Sequence, residues 1–274
     1  MMLRWTGCDD TSLGRGSHCT SSRLNSVSRA TGCRLDSSIW IFLEVGTAMA
    51  TFKIGFLIFP NLTQLDFTGP LQVLARVPDS AVHIVAKTLD PVPSDCGLSL
   101  LPTHTLADCP PLDLICVPGG GLGVASAVRD PETLKFVRTQ ARNAKYVTSV
   151  CTGALILGAA GILQGRRATT HWAFTALLPL VGARYEKARI VKDGNVITAG
   201  GVTSGIDFGL FIVSEIAGEE TAKAIQLAIE YDPAPQFDCG HPDRAPSGVV
   251  EKIVSRYGDL NSAIRTALEQ VARE

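Results

Sequence analysis

Cys151 ends the run Tyr146-Val147-Thr148-Ser149-Val150, whose β-branched residues suit a buried strand, and the small-residue run Ala154 to Leu163 then reads as a helix. A cysteine on so sharp a strand-to-helix turn is presented at a strand's carboxyl end, beside a helix N-terminus. Unpaired amides and the positive end of the helix dipole there favour thiolate over thiol. The α/β-hydrolase elbow holds its nucleophilic serine in the same way. The expected chemistry is nucleophilic attack by Cys151. The competing reading is a small buried cysteine filling a tight turn, since free cysteine is among the most buried residue types.

Four further segments supply candidate partners. Thr152 offers a hydroxyl and an amide directly after the cysteine. Pro118-Gly119-Gly120-Gly121 follows a strand-like run but has the spacing of neither a dinucleotide fingerprint nor a P-loop. Its glycines let the backbone approach a ligand closely. With the Thr152 amide, a Gly120 or Gly121 amide is placed to stabilise negative charge developing on an atom attacked by Cys151; the alternative is an ordinary flexible loop. Asp66, in Gln64-Leu65-Asp66-Phe67-Thr68-Gly69-Pro70, is either a helix-dipole partner or a buried acid with a raised pKa that shuttles a proton. His171, in Ala168-Thr169-Thr170-His171-Trp172, is a base or orienting group, or more readily a packed wall residue of the site. Ser204 and Asp207 match the S/T-x-x-D/E capping pattern, so a helix cap is their first reading. Cys116 falls inside a predicted strand and reads as inert; Cys96, Cys109 and Cys239 lie in polar or proline-rich loops with nothing nearby to activate them.

The elements that must position these groups alternate between strand and helix. Phe52–Phe59 is almost wholly apolar, as for a parallel strand buried on both faces. Leu65–Arg76 reads as a helix, Val82–Lys87 and Leu112–Val117 as strands. Asp130 is a good N-cap with Pro131 at the first helical position, for a helix reaching about Asn143. Ala168–His171, Ala188–Lys192 and Val196–Ala199 read as short strands; Gly205–Ala217, Glu219–Tyr231, Ser247–Tyr257 and Asn261–Val271 read as helices. The alternation predicts an α/β fold, an open and mostly parallel sheet with helices on both faces. Ligands in such sheets sit outside the carboxyl ends of the strands. The loop after Phe59, the glycine loop and the Cys151 turn all fall there.

Length and charge narrow the classes. The 274 residues suffice for a sizeable core, and a net charge of −1 with no basic block gives nucleic acid or a membrane surface no electrostatic footprint. The eight cysteines show no CxxC pair and no zinc spacing, so they read as reduced and the compartment as cytoplasmic. Composition shifts at Met49: the first 48 residues are rich in Ser, Thr, Arg and Gly and lack periodicity. They read as a disordered or spurious extension, with a transit peptide as the alternative, which Asp9, Asp10, Asp36 and Glu44 oppose. Residues 49–274 read as a single domain.

Together the Asp66 segment, the glycine loop, Ser149-Val150-Cys151-Thr152-Gly153-Ala154, the segment from Gly165 to Trp172 and the helix start at Gly201 to Asp207 resemble the ThiJ/PfpI family of the class I glutamine amidotransferase-like superfamily. The resemblance spans Thr51 to about Pro235 and implies a flavodoxin-like three-layer α/β/α sandwich, a nucleophilic cysteine, no metal or organic cofactor, and a homodimer. Its best match is the branch that hydrates isonitriles, which implies a small-molecule isonitrile as partner, a hydro-lyase reaction, Asp66 as acid, and Thr152, Gly120 and Gly121 as groups holding nucleophile, water or charge. Many protease-like and glyoxalase-like members carry histidine directly after the cysteine; here that position is Thr152, which speaks against peptidase activity. AraC-type regulators share the cysteine turn and the Thr-Thr-His-Trp segment but need a further basic DNA-binding region, and the stretch after Tyr231 is short and not basic. Carbonyl hydration or deglycation, redox sensing at Cys151 and ligand sensing without catalysis remain the alternatives.

Overall fold

In the computed structural model, residues 52–273 are described. The expectation for residues 1–48 lies outside that range. Seven strands form the main sheet: β1 (Phe52–Leu57), β2 (Ser80–Ala86), β3 (His104–Thr105), β4 (Leu114–Val117), β5 (Tyr146–Val150), β6 (Ile190–Asp193) and β7 (Val196–Ala199), in the order β6-β7-β5-β4-β1-β2-β3. Every neighbouring pair is parallel except β6 and β7, which form an antiparallel hairpin at one edge. The central strands β4 and β5 carry unbroken apolar or small side chains because both faces are covered.

The helices are α1 (Gln64–Leu74), α2 (Leu122–Ala127), α3 (Pro131–Ala141), α4 (Gly153–Ala159), α5 (Ser204–Ala217), α6 (Glu219–Ala228), α7 (Ser247–Arg256) and α8 (Gly258–Val271). On one side α1 packs against α5 and α5 against α6. Another set joins α4 to α2, α3 and a 3-10 helix over Trp172–Val181, and α8 to α2 and that 3-10 helix. The result is the α/β sandwich with a mostly parallel sheet. The cap expected for α3 is present: the Asp130 carboxylate accepts from Thr133 N–H at 3.2 Å, with Pro131 next in line. Among the described residues no helix is long and apolar enough to cross a membrane.

One expected strand is absent as such. Only Arg167–Ala168 is extended, and it pairs with Arg184–Tyr185 in a small ribbon outside the main sheet. The groups that would have continued it are bound elsewhere. Thr169 N–H donates to Thr198 Oγ1 at 2.8 Å and the Thr170 hydroxyl to the Cys151 carbonyl at 2.8 Å, so this segment braces the elbow.

Candidate active site

The turn between β5 and α4 holds Cys151 in the left-handed region, at φ 56°. Strain of that kind in a residue with a Cβ persists only where the surroundings over-determine it. Here Cys151 N–H lies 2.8 Å from the Gly200 carbonyl and 3.1 Å from that of Ala199, while Thr170 holds the Cys151 carbonyl. Gly153 lets the turn close: a Cβ there would fall 2.1 Å from the Val117 carbonyl oxygen at the end of β4. The thiol is all but buried, 6 % exposed.

Asp66 comes from the first turn of α1 and is fully buried. Its Oδ2 accepts from Gly119 N–H at 3.0 Å, and its carboxyl meets the Cys151 thiol. Asp66 thus sits in the first turn of a helix and is also a buried acid. Burial pushes its pKa up to about 7, against the hydrogen bonds from Cys151 and Gly119 that favour the charged form. A side chain at Gly119 would collide with this arrangement, its Cβ 2.6 Å from Thr152 N and 2.8 Å from Asp66 Oδ2.

The thiol differs from expectation. Burial and the adjacent Asp66 charge raise the Cys151 pKa well above the ordinary thiol value, although the Thr152 and Val202 amides donate to the sulfur and pull the other way. Dipole and amides do point at Cys151, as the turn predicts, but desolvation outweighs them. Cys151 therefore rests as a thiol, beside a carboxyl that titrates near neutral pH. The Val202 amide was not legible in the sequence: it reaches the sulfur because Val202 adopts φ 27°, a conformation that a β-branched residue rarely takes.

Thr152 acts through its hydroxyl on the glycine loop. Its Oγ1 donates to the Gly120 carbonyl at 2.9 Å and accepts from Gly120 N–H at 3.0 Å, clamping both backbone groups of one residue. Gly120 N–H is thus engaged and does not face an attacked atom. The glycine loop is tied down further by an antiparallel bridge between Leu62 and Gly120, with Thr63 N–H donating to the Gly119 carbonyl at 3.0 Å. Thr152→Val keeps the shape of the side chain and leaves two buried backbone groups unpaired. It is expected to destabilise the protein by about 2–5 kcal/mol, read as a lower urea midpoint, whereas Thr152→Ser restores most of the loss.

His171 is a wall residue. Its ring lies 5.6 Å from each of the rings of Trp172, Phe174 and Tyr257, and Nδ1 accepts from Ala173 N–H at 3.2 Å. Burial lowers its pKa to about 4, so it is neutral at pH 7. Ser204 and Asp207 do not form the expected capping box. Thr203 takes the N-cap of α5 with no side-chain cap; Ser204 Oγ is buried without a partner; Asp207 pairs with Arg189 and accepts from the Tyr231 hydroxyl at 2.9 Å. Cys116 is inert as expected, its thiol pushed up to about 12 by burial. Among the described residues no cluster of three or more His, Cys, Asp or Glu side chains is arranged to hold a metal ion.

The chain is 58 % identical over 204 residues to isonitrile hydratase of Pseudomonas putida, which covers 74 % of this chain and 89 % of that protein. It is 27 % identical over 227 residues to the HTH-type transcriptional regulator CdhR of Pseudomonas aeruginosa, of which it spans 64 %. The crystal structure of a ThiJ/PfpI family protein from Pseudomonas syringae superposes with a TM-score of 0.78 at 39 % identity, covering 83 % of this chain and 97 % of that one. The DJ-1/PfpI family model matches residues 52–215, more than half of the sequence and every residue of the elbow and its acid, and the chain belongs to the DJ-1/PfpI family.

Proposed function

We propose that this protein is an isonitrile hydratase, converting R–N≡C and water to the formamide R–NH–CHO with Cys151 as nucleophile and Asp66 as proton carrier. The observation that carries the reading is a buried thiol set beside a buried carboxyl whose pKa is raised to about 7. The 58 % identity to the P. putida enzyme supports the same substrate.

The terminal carbon of an isonitrile becomes electrophilic as it gains a proton. In the proposed first step Asp66 takes the thiol proton and returns it to that carbon as the sulfur bonds there, giving the thioimidate R–N=CH–S–Cys151. The thiol proton and the new C–H balance, and no charge is left over. In the second step the Asp66 carboxylate accepts a proton from water as its oxygen adds to the same carbon. The nitrogen is protonated, the C–S bond breaks, and R–NH–CHO leaves with the thiol restored. Two addition steps replace one difficult hydration. The amides of Thr152 and Val202 support charge on the sulfur as it attacks and as it leaves. Thr152 and Gly120 fix the loop that carries the Asp66-bound Gly119 amide. A homodimer in the cytoplasm belongs to the same reading.

The test is incubation of the full chain with cyclohexyl isocyanide and quantification of N-cyclohexylformamide by mass spectrometry. Catalytic formation of the formamide is the expected result. A folded protein with reduced Cys151 and no product above the uncatalysed background would overturn the proposal in favour of carbonyl chemistry or sensing.

A further inference from the structure

Beside the elbow lies a cleft that the catalytic pair does not explain. A cavity of about 560 Å3 lies over Thr170, His171, Gly201 and Val202, and its far wall is formed by residues 240, 241, 243 and 244. Its floor is tied to the nucleophile: the Val202 amide donates to the Cys151 sulfur and the Thr170 hydroxyl to the Cys151 carbonyl. A second cavity of about 160 Å3 shares His171, Trp172, Gly240 and His241 with the first, and its remaining lining includes Val249, Val250, Ile253 and Tyr257.

That second cavity lies against α7, which has no buried residue despite its four aliphatic side chains. Val249, Val250, Ile253 and Tyr257 fall at i, i+1, i+4 and i+8, one face of a helix. This face lines the cavity, with Tyr257 also packed on the core beside Phe174. Size sets what fits. A cavity of about 150 Å3 accommodates benzene; this one, of about 160 Å3 and walled by His171 and His241 as well as by aliphatic and aromatic side chains, has room for a single six-membered ring. All of α7 also lies outside residues 52–215, the stretch shared with the family.

We propose that the face of α7 against Trp172 is the binding subsite for the nitrogen substituent of the isonitrile, selecting compact apolar groups up to one six-membered ring. This rests on the isonitrile reading of Cys151. An isonitrile is linear through carbon, nitrogen and the first atom of its substituent. A carbon held at the sulfur therefore sends the substituent away from the elbow, and the cleft floored by Thr170 and Val202 shares His171, Trp172, Gly240 and His241 with the cavity against α7. The wider cleft carries Lys187, Arg189, Asp243 and Arg244, and this charged rim disfavours an apolar group that stops short of α7. Each methylene taken out of water is worth about a fourfold gain in affinity.

The test compares kcat/KM for cyclohexyl isocyanide with that for methyl isocyanide, using the full chain and the variants Val250→Trp and Ile253→Trp, each of which fills the cavity. The cyclohexyl-to-methyl ratio is expected to fall at least tenfold in both variants, through KM for the cyclohexyl compound. Because both substrates are read on one preparation, the ratio does not depend on the fraction folded. A ratio within threefold of the unsubstituted protein in both variants overturns the subsite and leaves the hydratase reading intact. Failure of the unsubstituted protein to hydrate either compound overturns the hydratase reading, and the subsite with it.

Discussion

Cys151→Ala is expected to lower formamide production from cyclohexyl isocyanide by at least about a thousandfold while leaving the fold unchanged. The activity loss follows from the proposed covalent step, because without the sulfur no other group bonds to the isonitrile carbon. The retained fold follows from how the elbow is held. Cys151 N–H to the Gly200 carbonyl and the Thr170 hydroxyl to the Cys151 carbonyl are bonds to backbone, and the positive φ is fixed by those bonds and by the approach of Gly153 to Val117. Alanine keeps all of them. Cys151→Ser separates nucleophilicity from shape: the hydroxyl is nearly isosteric, but it is a far weaker acid and so a far weaker nucleophile beside Asp66. Both variants are expected to melt within a few degrees of the unsubstituted protein by circular dichroism. More than a tenth of the original turnover in either would remove Cys151 from the chemistry.

The features readable in the sequence were local ones. Val147 to Val150 and the small residues after Gly153 each specify their own element, so the elbow between them follows from neighbouring residues. The Asp130–Pro131 start of α3 is legible for the same reason. What was not legible depends on partners far along the chain. The Ser204 to Asp207 spacing has the form of a capping box, yet Asp207 is drawn to Arg189 and Tyr231 by the fold of β6 and α6, and Thr203 becomes the N-cap. The Thr152 hydroxyl read as a hydrogen-bonding group beside the cysteine, and its position 32 residues from Gly120 hid its use as a backbone clamp. The pKa of Cys151 shows the limit most clearly. A helix start is visible in a sequence and argues for thiolate, whereas full burial beside Asp66 is a property of the assembled fold and decides the balance the other way. The α7 cavity was likewise out of reach, since Ser247–Tyr257 reads as an amphipathic helix whatever its apolar face meets.

Asp66→Asn is expected to cost about two to four orders of magnitude in kcat and, unlike most substitutions of a buried residue, to stabilise the protein above pH 7. Both effects come from one cause. Burial raises the carboxyl pKa from 3.8 to about 7, so between those values the folded protein holds a proton that the unfolded chain has released. With more protons bound in the folded state, stability falls as pH rises through this window, by roughly 4 kcal/mol over its whole width. Asparagine is neutral at every pH and still accepts from Gly119 N–H through its amide oxygen, so the variant carries no such loss. Urea midpoints at pH 5 and pH 8 read the difference: the unsubstituted protein is expected to lose stability relative to Asp66→Asn between the two. The rate profile carries the same signature. For the unsubstituted protein kcat/KM rises with pH up to about 7, as the thiol–carboxyl pair loses its first proton and a carboxylate becomes able to take the proton of the thiol. The residual activity of the variant has no inflection there, because amide cannot relay a proton. An Asp66→Asn protein with full turnover would remove Asp66 from proton transfer. One that is less stable than the unsubstituted protein at pH 8 would mean that the charged carboxylate holds the fold together.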